Sequence, residues 1–191
     1  MTTQWFISDL HLADERPTTV ELFHRFLRHL PQPGDRLFIL GDLFDTWIGD
    51  DDDASLANAV RSGLADLSRR SVAIGIQRGN RDFLMGQRLM RECGATLLPD
   101  CCVTSVAGLP TLLMHGDLLC TDDIDYQKLR RRLRNPVVQW LMMRRSLSAR
   151  RHSSDSSAIA ARSPCASACR PASSSAMTTL SSARTPSPAI L

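Results

Sequence analysis

The 191-residue sequence lacks several features that would assign a protein to a class directly. No apolar run approaches the roughly 20 residues needed to cross a bilayer; the stretch 137–143 is among the longest. The first residues show no basic stretch followed by a long apolar one, so no signal peptide is predicted and a cytoplasmic location is expected. Six cysteines occur without paired CxxC spacing, which argues against a zinc framework. No repeat is visible, so a single globular domain is expected.

The charge of the chain is unevenly placed. The net charge is +3, but five arginines and a single aspartate lie from residue 146 onward. The basic excess therefore belongs to that segment, while the preceding part is close to neutral. For this reason no nucleic-acid partner is expected.

The composition changes near residue 150. Residues 146–191 include 14 Ser and 10 Ala, and no Gly, Val or Phe. Such a segment has too little apolar surface to offset the entropy of ordering, so residues 151–191 are predicted to be a disordered tail. Our hypothesis for its origin is out-of-frame translation of a GC-rich gene, which resequencing of the locus would test. We expect residues 1–125 to form the core and residues 126–150 to begin a helical cap.

Apolar patterning predicts an α/β fold with the order β-α-β-α-β-α-β-β. A capping box at Thr18–Glu21 is expected to open the first helix, and Gly94 to end the third. A turn is expected at 108–110, between the last two strands. The strands are predicted at about 5–8, 37–40, 72–76, 101–106 and 111–114.

Polar clusters follow four of the predicted strands: Asp9-Leu10-His11, Gly41-Asp42, Gly79-Asn80-Arg81-Asp82 and His115-Gly116-Asp117. Ligands of α/β folds gather beyond the carboxyl ends of strands, where these clusters lie. In an extended segment the side chains of Asp9 and His11 would face one cavity. Two divalent cations against the two carboxylates of Asp9 and Asp42 would leave a positive site suited to a phosphate. Mixed oxygen and nitrogen ligands suit Mn²⁺.

Each cluster alone has a simpler explanation, such as a turn or a helix cap. It is their recurrence after successive strands that favours a metal site. The run Asp50–Asp53 is interpreted instead as a solvated loop that leads into a helix.

The ordered clusters resemble those of the calcineurin-type metallophosphoesterases. That resemblance implies an αββα sandwich around two metal ions, here incomplete at its C-terminus. It also implies that Asp9 and His11 bind the first metal, that Asp42 bridges, and that Asn80 and His115 bind the second. No catalytic residue beyond this metal site is implied.

The longer runs 41–52, 79–84 and 115–127 are similar to the subgroup that hydrolyses UDP-2,3-diacylglucosamine in lipid A biosynthesis. The likeness implies release of UMP and 2,3-diacylglucosamine 1-phosphate by water activated by Mn²⁺. Asn80 and Arg81 would hold the pyrophosphate, and Asp123 would contact the sugar. Arg81 replaces a His common elsewhere in the family, and its guanidinium can donate two parallel hydrogen bonds to phosphate oxygens.

The same resemblance implies peripheral contact with lipids on the cytoplasmic face of the inner membrane. An interfacial helix would place Trp140, Leu141, Met142 and Met143 against acyl chains. A helix packed on the core with a solvated basic face explains the pattern equally well.

The family completes its metal site with a late Gly-His-x-His motif, and no His-x-His follows His115 here. We therefore expect the chain as written to bind metal weakly and to be nearly inactive. Two other functions stay open: a metallophosphoesterase acting on nucleotides or phosphodiesters, and a non-catalytic remnant that binds metal or membrane.

Overall fold

A twisted parallel sheet forms the centre of the protein. The computed structural model describes residues 2–155 and 181–184, with side-chain surroundings for residues 2–152. Its strands are β1 (Thr3–Ile7), β2 (Arg36–Leu40), β3 (Ala73–Gln77), β4 (Ala95–Leu97) and β7 (Ser181–Arg184). They lie in the order β4-β3-β2-β1-β7, in which β1 to β4 are parallel and β7 is antiparallel to β1.

Three helices connect the parallel strands: α1 (Pro17–His29), α2 (Ser55–Arg69) and α3 (Gln87–Cys93). Each turns an apolar stripe toward the core, as the periodicity predicts. Gly94 ends α3 in the left-handed conformation, which confirms the predicted stop. The capping box was wrong, because α1 already begins at Pro17, whose fixed φ suits the first helical position, and Thr18 lies inside the helix.

The core lies between the sheet and these helices. Side chains of the central strands and of α2 are completely buried, among them Leu37, Ile39, Val60, Leu64 and Ile76. The α/β class predicted from the sequence is therefore confirmed. This packing makes the parallel strands a fixed platform for the loops at their carboxyl ends.

A two-stranded antiparallel sheet follows, made of β5 (Cys102–Val106) and β6 (Leu109–Leu113). Its turn is Ala107-Gly108, both at positive φ, and not the predicted 108–110. A two-residue loop of this kind matches the twist of the hairpin, so Leu109 and Pro110 can remain in the strand. The amide of Gln77, at the end of β3, donates to the carbonyls of Pro99 and Leu113 and ties this sheet to the first.

A short 3₁₀ turn (Asp117–Leu119) and three helices come next: α4 (Ile124–Leu133), α5 (Pro136–Met143) and α6 (Leu147–Asp155). Asp123 caps α4 by accepting from the Tyr126 N–H, and Asn135 caps α5. No residue of α4 or α5 is fully buried. The composition change near residue 150 falls inside α6.

No strand was predicted in the segment 151–191, and β7 lies there. The expected disorder of residues 156–180 and 185–191 falls outside the described residues. Within the described part, no helix combines the length and the apolar character needed to cross a membrane.

Candidate metal centre

The loops that follow β1 and β2 run side by side at the carboxyl edge of the sheet. The N–H of Asp9 donates to the Gly41 carbonyl at 3.1 Å, and the N–H of His11 donates to the Asp42 carbonyl at 3.0 Å. These bonds extend the pairing of the two strands beyond the sheet. The side chains that were predicted from separate parts of the sequence therefore lie on one surface.

Three residues of this surface have left-handed backbone. Asp9, His11 and Asp42 have φ values of 54°, 47° and 51°. The extended conformation expected for 9–11 is therefore wrong, and strand alternation does not orient these side chains. Non-glycine residues at positive φ are strained, and such strain is concentrated at functional sites.

Two glycines allow the loops to approach each other. A β-carbon on Gly41 would lie 2.6 Å from Nδ1 of His115 and 2.8 Å from Cα of Gly79. A β-carbon on Gly79 would overlap the Asp42 side chain. Only glycine leaves the space that brings Asp42, His115 and the loop after β3 together.

Asp42 lies at the centre of the site and is 3% exposed. Its Oδ2 is 3.8 Å from Nε2 of His11, and its Oδ1 is 3.8 Å from Nε2 of His115. One ligand atom each of Asp9, Asp42 and His115 lies within 4.8 Å of the others. The carboxylate of Asp42 thus separates two histidines, one on each side.

The Asn80 amide lies directly against this carboxylate. One of its terminal atoms is 2.9 Å from Oδ1 and 2.7 Å from Oδ2 of Asp42. With nitrogen there, the amide donates to both oxygens; with oxygen there, three oxygens converge, and only a cation would stabilise them. In both orientations the Asn80 amide and the Asp42 carboxylate are close enough to bind one cation.

His115 is oriented for coordination. Its Nδ1 lies 2.9 Å from the carbonyl of Leu40, which can only accept, so Nδ1 carries the hydrogen. The unprotonated Nε2 then faces Asp42. A histidine whose second nitrogen binds a backbone carbonyl is the usual arrangement of a metal ligand.

Burial and neighbouring charges shift the pKa values of both Asp42 and His115. Burial and the nearby Asp9 raise the pKa of Asp42, against the opposite effect of His115. Burial alone would lower the pKa of His115, but Asp42 and Asp9 outweigh it and raise that pKa. The shift of His115 indicates excess negative charge around its ring, whereas that of Asp42 reflects mainly its burial. The donor set of carboxylates, imidazoles and an amide fits divalent cations such as Mn²⁺.

Asp82 holds two of the loops together, a role that the sequence did not reveal. It is completely buried and accepts the N–H of Gly79 at 2.6 Å and that of Leu43 at 2.8 Å. Burial and the charge of Asp42 raise its pKa to about 6. The only sequence signal was its place in the cluster 79–82.

Arg81 lies beside the centre. Its backbone N–H donates to Oδ1 of Asp42 at 3.0 Å, and its guanidinium Nη1 donates to Asp45 at 3.3 Å. Its side chain is one-quarter exposed, so the guanidinium lies at the mouth of the site.

Asp123 was expected at the substrate, and the structure places it at the start of α4, where its Oδ1 caps the helix.

The turn after His115 is bound to the same helix. Asp117 accepts from the Tyr126 hydroxyl at 3.0 Å and from Arg130 at 2.7 Å. Arg130 and Arg134 also pair with Asp100. These arginines therefore join α4 to the core.

The run Asp50–Asp53 does lead into α2, but it is solvated only toward its end, where Asp53 is exposed. Asp50 is 7% exposed and accepts from the N–H groups of Gly86 and Leu89 at the start of α3. Asp51 pairs with Arg150, while Asp52 and Asp53 pair with Arg151. The interpretation was wrong for the buried Asp50, whose partners lie 36 and 39 positions away, and it missed arginines 98 and 99 positions away.

A family model described as calcineurin-like phosphoesterase matches residues 2–169. Curated relatives share the name UDP-2,3-diacylglucosamine hydrolase. One from Actinobacillus succinogenes is 45% identical over 150 residues, which is 78% of this chain and 64% of that protein. One from Stenotrophomonas maltophilia is 49% identical over 148 residues, covering 78% and 60%. One from Azotobacter vinelandii is 46% identical over 149 residues, covering 78% and 62%.

The chain thus spans less than two thirds of the length of these relatives. Among solved structures, a protein of unknown function from Aquifex aeolicus is 17% identical, with 70% of this chain and 72% of that chain covered. Its TM-score of 0.46 is too low to support an argument.

Proposed function

We propose, since this chain belongs to the calcineurin-like phosphoesterase family, that its site hydrolyses the pyrophosphate bond of UDP-2,3-diacylglucosamine to UMP and 2,3-diacylglucosamine 1-phosphate. The observation that carries the proposal is the position of Asp42 between His11 and His115, 3.8 Å from each. A carboxylate with one oxygen toward each imidazole is suited to bridge two cations, which are about 3.5–4 Å apart in two-metal sites.

The assignment of ligands follows this geometry. Asp9 and His11 would hold one ion, Asn80 and His115 the other, and Asp42 both. We propose Mn²⁺ as the ion, because the ligands are oxygen and imidazole donors without a thiolate. When bound, divalent cations supply an acidified water and neutralise phosphate charge.

The residues of the chain would bind and orient the substrate. Arg81 can direct its remaining N–H groups at the pyrophosphate, because only Nη1 is engaged with Asp45 among its described contacts. The Asn80 amide would lie at the phosphate that is attacked. Asp123, on the segment after the His115 turn, would contact the sugar head group.

We propose that helix α5 makes the peripheral contact with inner-membrane lipids, on the cytoplasmic side. Val137, Trp140 and Leu141 lie at helical spacing and are 62%, 55% and 54% exposed. Met142 and Met143, expected to join them, pack against the core instead. The guanidinium of Arg144 lies 4.6 Å from the Trp140 ring, so a cation borders this apolar face. Apolar residues beside arginines favour an anionic lipid surface.

Turnover by the chain as written is proposed to be slow. No His-x-His follows His115 in this sequence, so the two histidines of the family's late Gly-His-x-His motif have no counterpart among its residues. The site would then hold its ions with five ligands and without those two histidines, which predicts weak metal binding.

The test measures two quantities on the purified full chain: Mn²⁺-dependent release of UMP from UDP-2,3-diacylglucosamine, and bound Mn²⁺ per chain. We expect slow release that is abolished by Asp42→Asn. Turnover of a simple phosphodiester without release of UMP would support the alternative phosphoesterase. Binding of Mn²⁺ without any turnover would support the non-catalytic remnant.

A further inference from the structure

We propose that Asp45 is a positioning residue whose single carboxylate fixes the ring of His11 and the guanidinium of Arg81 relative to each other. The inference rests on the proposed function, because it concerns how the metal ligand and the phosphate-binding side chain of that site are oriented. Asp45 lies three residues after Asp42, in the loop that follows β2.

The first observation is an unsatisfied nitrogen. Nδ1 of His11 is buried and has no hydrogen-bond partner among the described residues, while Nε2 faces Asp42. The carboxylate oxygen Oδ1 of Asp45 lies 3.9 Å from that Nδ1. A buried ring nitrogen without a partner lowers the stability of the fold. A shortening of the Nδ1–Oδ1 distance by less than 1 Å would form the hydrogen bond. The proton would then be on Nδ1, leaving Nε2 unprotonated toward the metal side.

The second observation is that the same oxygen binds Arg81. Oδ1 of Asp45 accepts from Nη1 of Arg81 at 3.3 Å, and Arg16 approaches it to 4.0 Å. The two side chains that Asp45 would connect therefore come from the loops after β1 and β3, while Asp45 belongs to the loop between them. Carboxylates that bind the second nitrogen of a ligand histidine typically improve metal affinity 10- to 100-fold.

The loop is anchored strongly enough for such a role. The N–H of Asp45 donates to the carbonyl of Leu12 at 3.1 Å, and Leu12 itself is 2% exposed. The N–H of Trp47 donates to the carbonyl of Arg81 at 3.1 Å. The backbone on both sides of Asp45 is thus bonded to the segments that carry its two partners.

The experiment uses the full chain and two readouts. Long-range ¹H–¹⁵N correlation spectra of the metal-free protein at pH 8 report the His11 tautomer, and calorimetric titration reports Mn²⁺ affinity. In Asp45→Ala we expect His11 to lose the Nδ1–H form and the Mn²⁺ dissociation constant to rise about 10- to 100-fold. Asp45→Glu, which keeps a carboxylate, should retain the Nδ1–H form.

Asp14→Asn is the matched control, since it removes an exposed carboxylate from the loop after β1. Its effect on Mn²⁺ affinity should stay within about twofold, because solvent and salt screen an exposed charge. An unchanged tautomer in Asp45→Ala, or equal losses of affinity in Asp45→Ala and Asp14→Asn, overturns the proposal. If circular dichroism shows that Asp45→Ala does not fold, Asp45→Asn takes its place with both readouts. The tautomer is measured without metal or substrate, so failure of UMP release leaves this result intact.

Discussion

Arg150 of α6 forms an ion pair with Asp51, which precedes it by 99 positions, and the arginine is 6% exposed while it does so. Nη1 of Arg150 donates to Oδ1 of Asp51 at 2.8 Å and to the carbonyl of Ile48 at 2.6 Å. Nη2 binds Oδ2 of Asp51. The side chain thereby fastens the last described helix to the loop that also carries Asp42.

Arg150→Met should therefore destabilise the protein. The substitution keeps a long unbranched side chain but removes the N–H groups that bind the Ile48 carbonyl and Asp51. Because Asp51 is 39% exposed, we expect a loss of about 1.5–3 kcal/mol, the range for hydrogen bonds to a charged group. Urea unfolding measures this loss. Arg151→Met is the matched control, because that arginine is half exposed and such pairs contribute at most about 1 kcal/mol. Equal losses in the two variants would show that burial of Arg150 adds nothing.

Gly41→Ala should lower both stability and metal affinity. The new methyl group would meet His115 and Gly79, which adds an overpacking cost of about 1–3 kcal/mol to the strain of positive φ. Gly34→Ala separates the two effects, since Gly34 has nearly the same φ, 89° against 87°, and no atom of the described residues lies within 4 Å of its β-carbon position. Thermal unfolding and Mn²⁺ titration of both variants provide the comparison. We expect Gly34→Ala to leave Mn²⁺ affinity unchanged; a loss of affinity as large as that of Gly41→Ala would contradict the overlap.

Asp35→Asn should destabilise the protein at neutral pH and much less in acid. Burial alone would raise the pKa of Asp35, but hydrogen bonds from the Gln32 N–H, the Trp5 indole and the Thr3 N–H hold it below its ordinary 3.8. A lowered carboxyl pKa contributes stability above the unfolded-state value, and that stability is lost as the pH falls through the folded-state value. Asparagine cannot supply a charged acceptor, so we expect a loss of about 1.5–3 kcal/mol at pH 7.

Urea midpoints measured from pH 7 down to pH 3 test this pH dependence. The difference between the wild-type chain and Asp35→Asn should shrink below about pH 4. Asp125→Asn, at a side chain 95% exposed, should show no comparable trend. A difference that is constant across the range would rule out the ionised form of Asp35 as the source.

Trp140→Glu should weaken binding to vesicles that contain phosphatidylglycerol. The substitution places a negative charge on the apolar face of α5 and removes the ring that Arg144 covers. Leu22→Glu is the control, since Leu22 is 57% exposed on α1 and lies outside that face. Co-sedimentation with the vesicles measures both. If the two variants bind the vesicles equally well, α5 is not the membrane contact.

The sequence predicted the central architecture because its signals are local. Apolar runs of five residues and helical stripes such as Val60 and Leu64 each report burial of their own element. The strand β4 was missed because it has only three residues. Asp9, Asp42 and Asn80 could be grouped because the parallel strands before them end at one edge, and that rule needs no knowledge of side-chain orientation. His115 follows β6 of the antiparallel sheet, so its place beside Asp42 depends on how the two sheets pack.

The roles of Asp45, Asp50 and Asp82 could not be obtained in the same way. Their partners lie 36 to 39 positions away, at Arg81, Gly86 and Leu43. An aspartate in a loop has the same local signature whether it faces water or accepts buried N–H groups. Only the packing of the loops distinguishes these two environments.

The left-handed backbone of Asp9, His11 and Asp42 has an evolutionary consequence. A left-handed residue with a side chain costs about 1–2 kcal/mol relative to glycine, which adopts this conformation freely. Replacement of any of the three by glycine would relieve that strain but would remove a side chain that is proposed to bind metal. Selection for stability alone would thus favour glycine at these positions, and the proposed metal site gives a functional reason for the side chains found there.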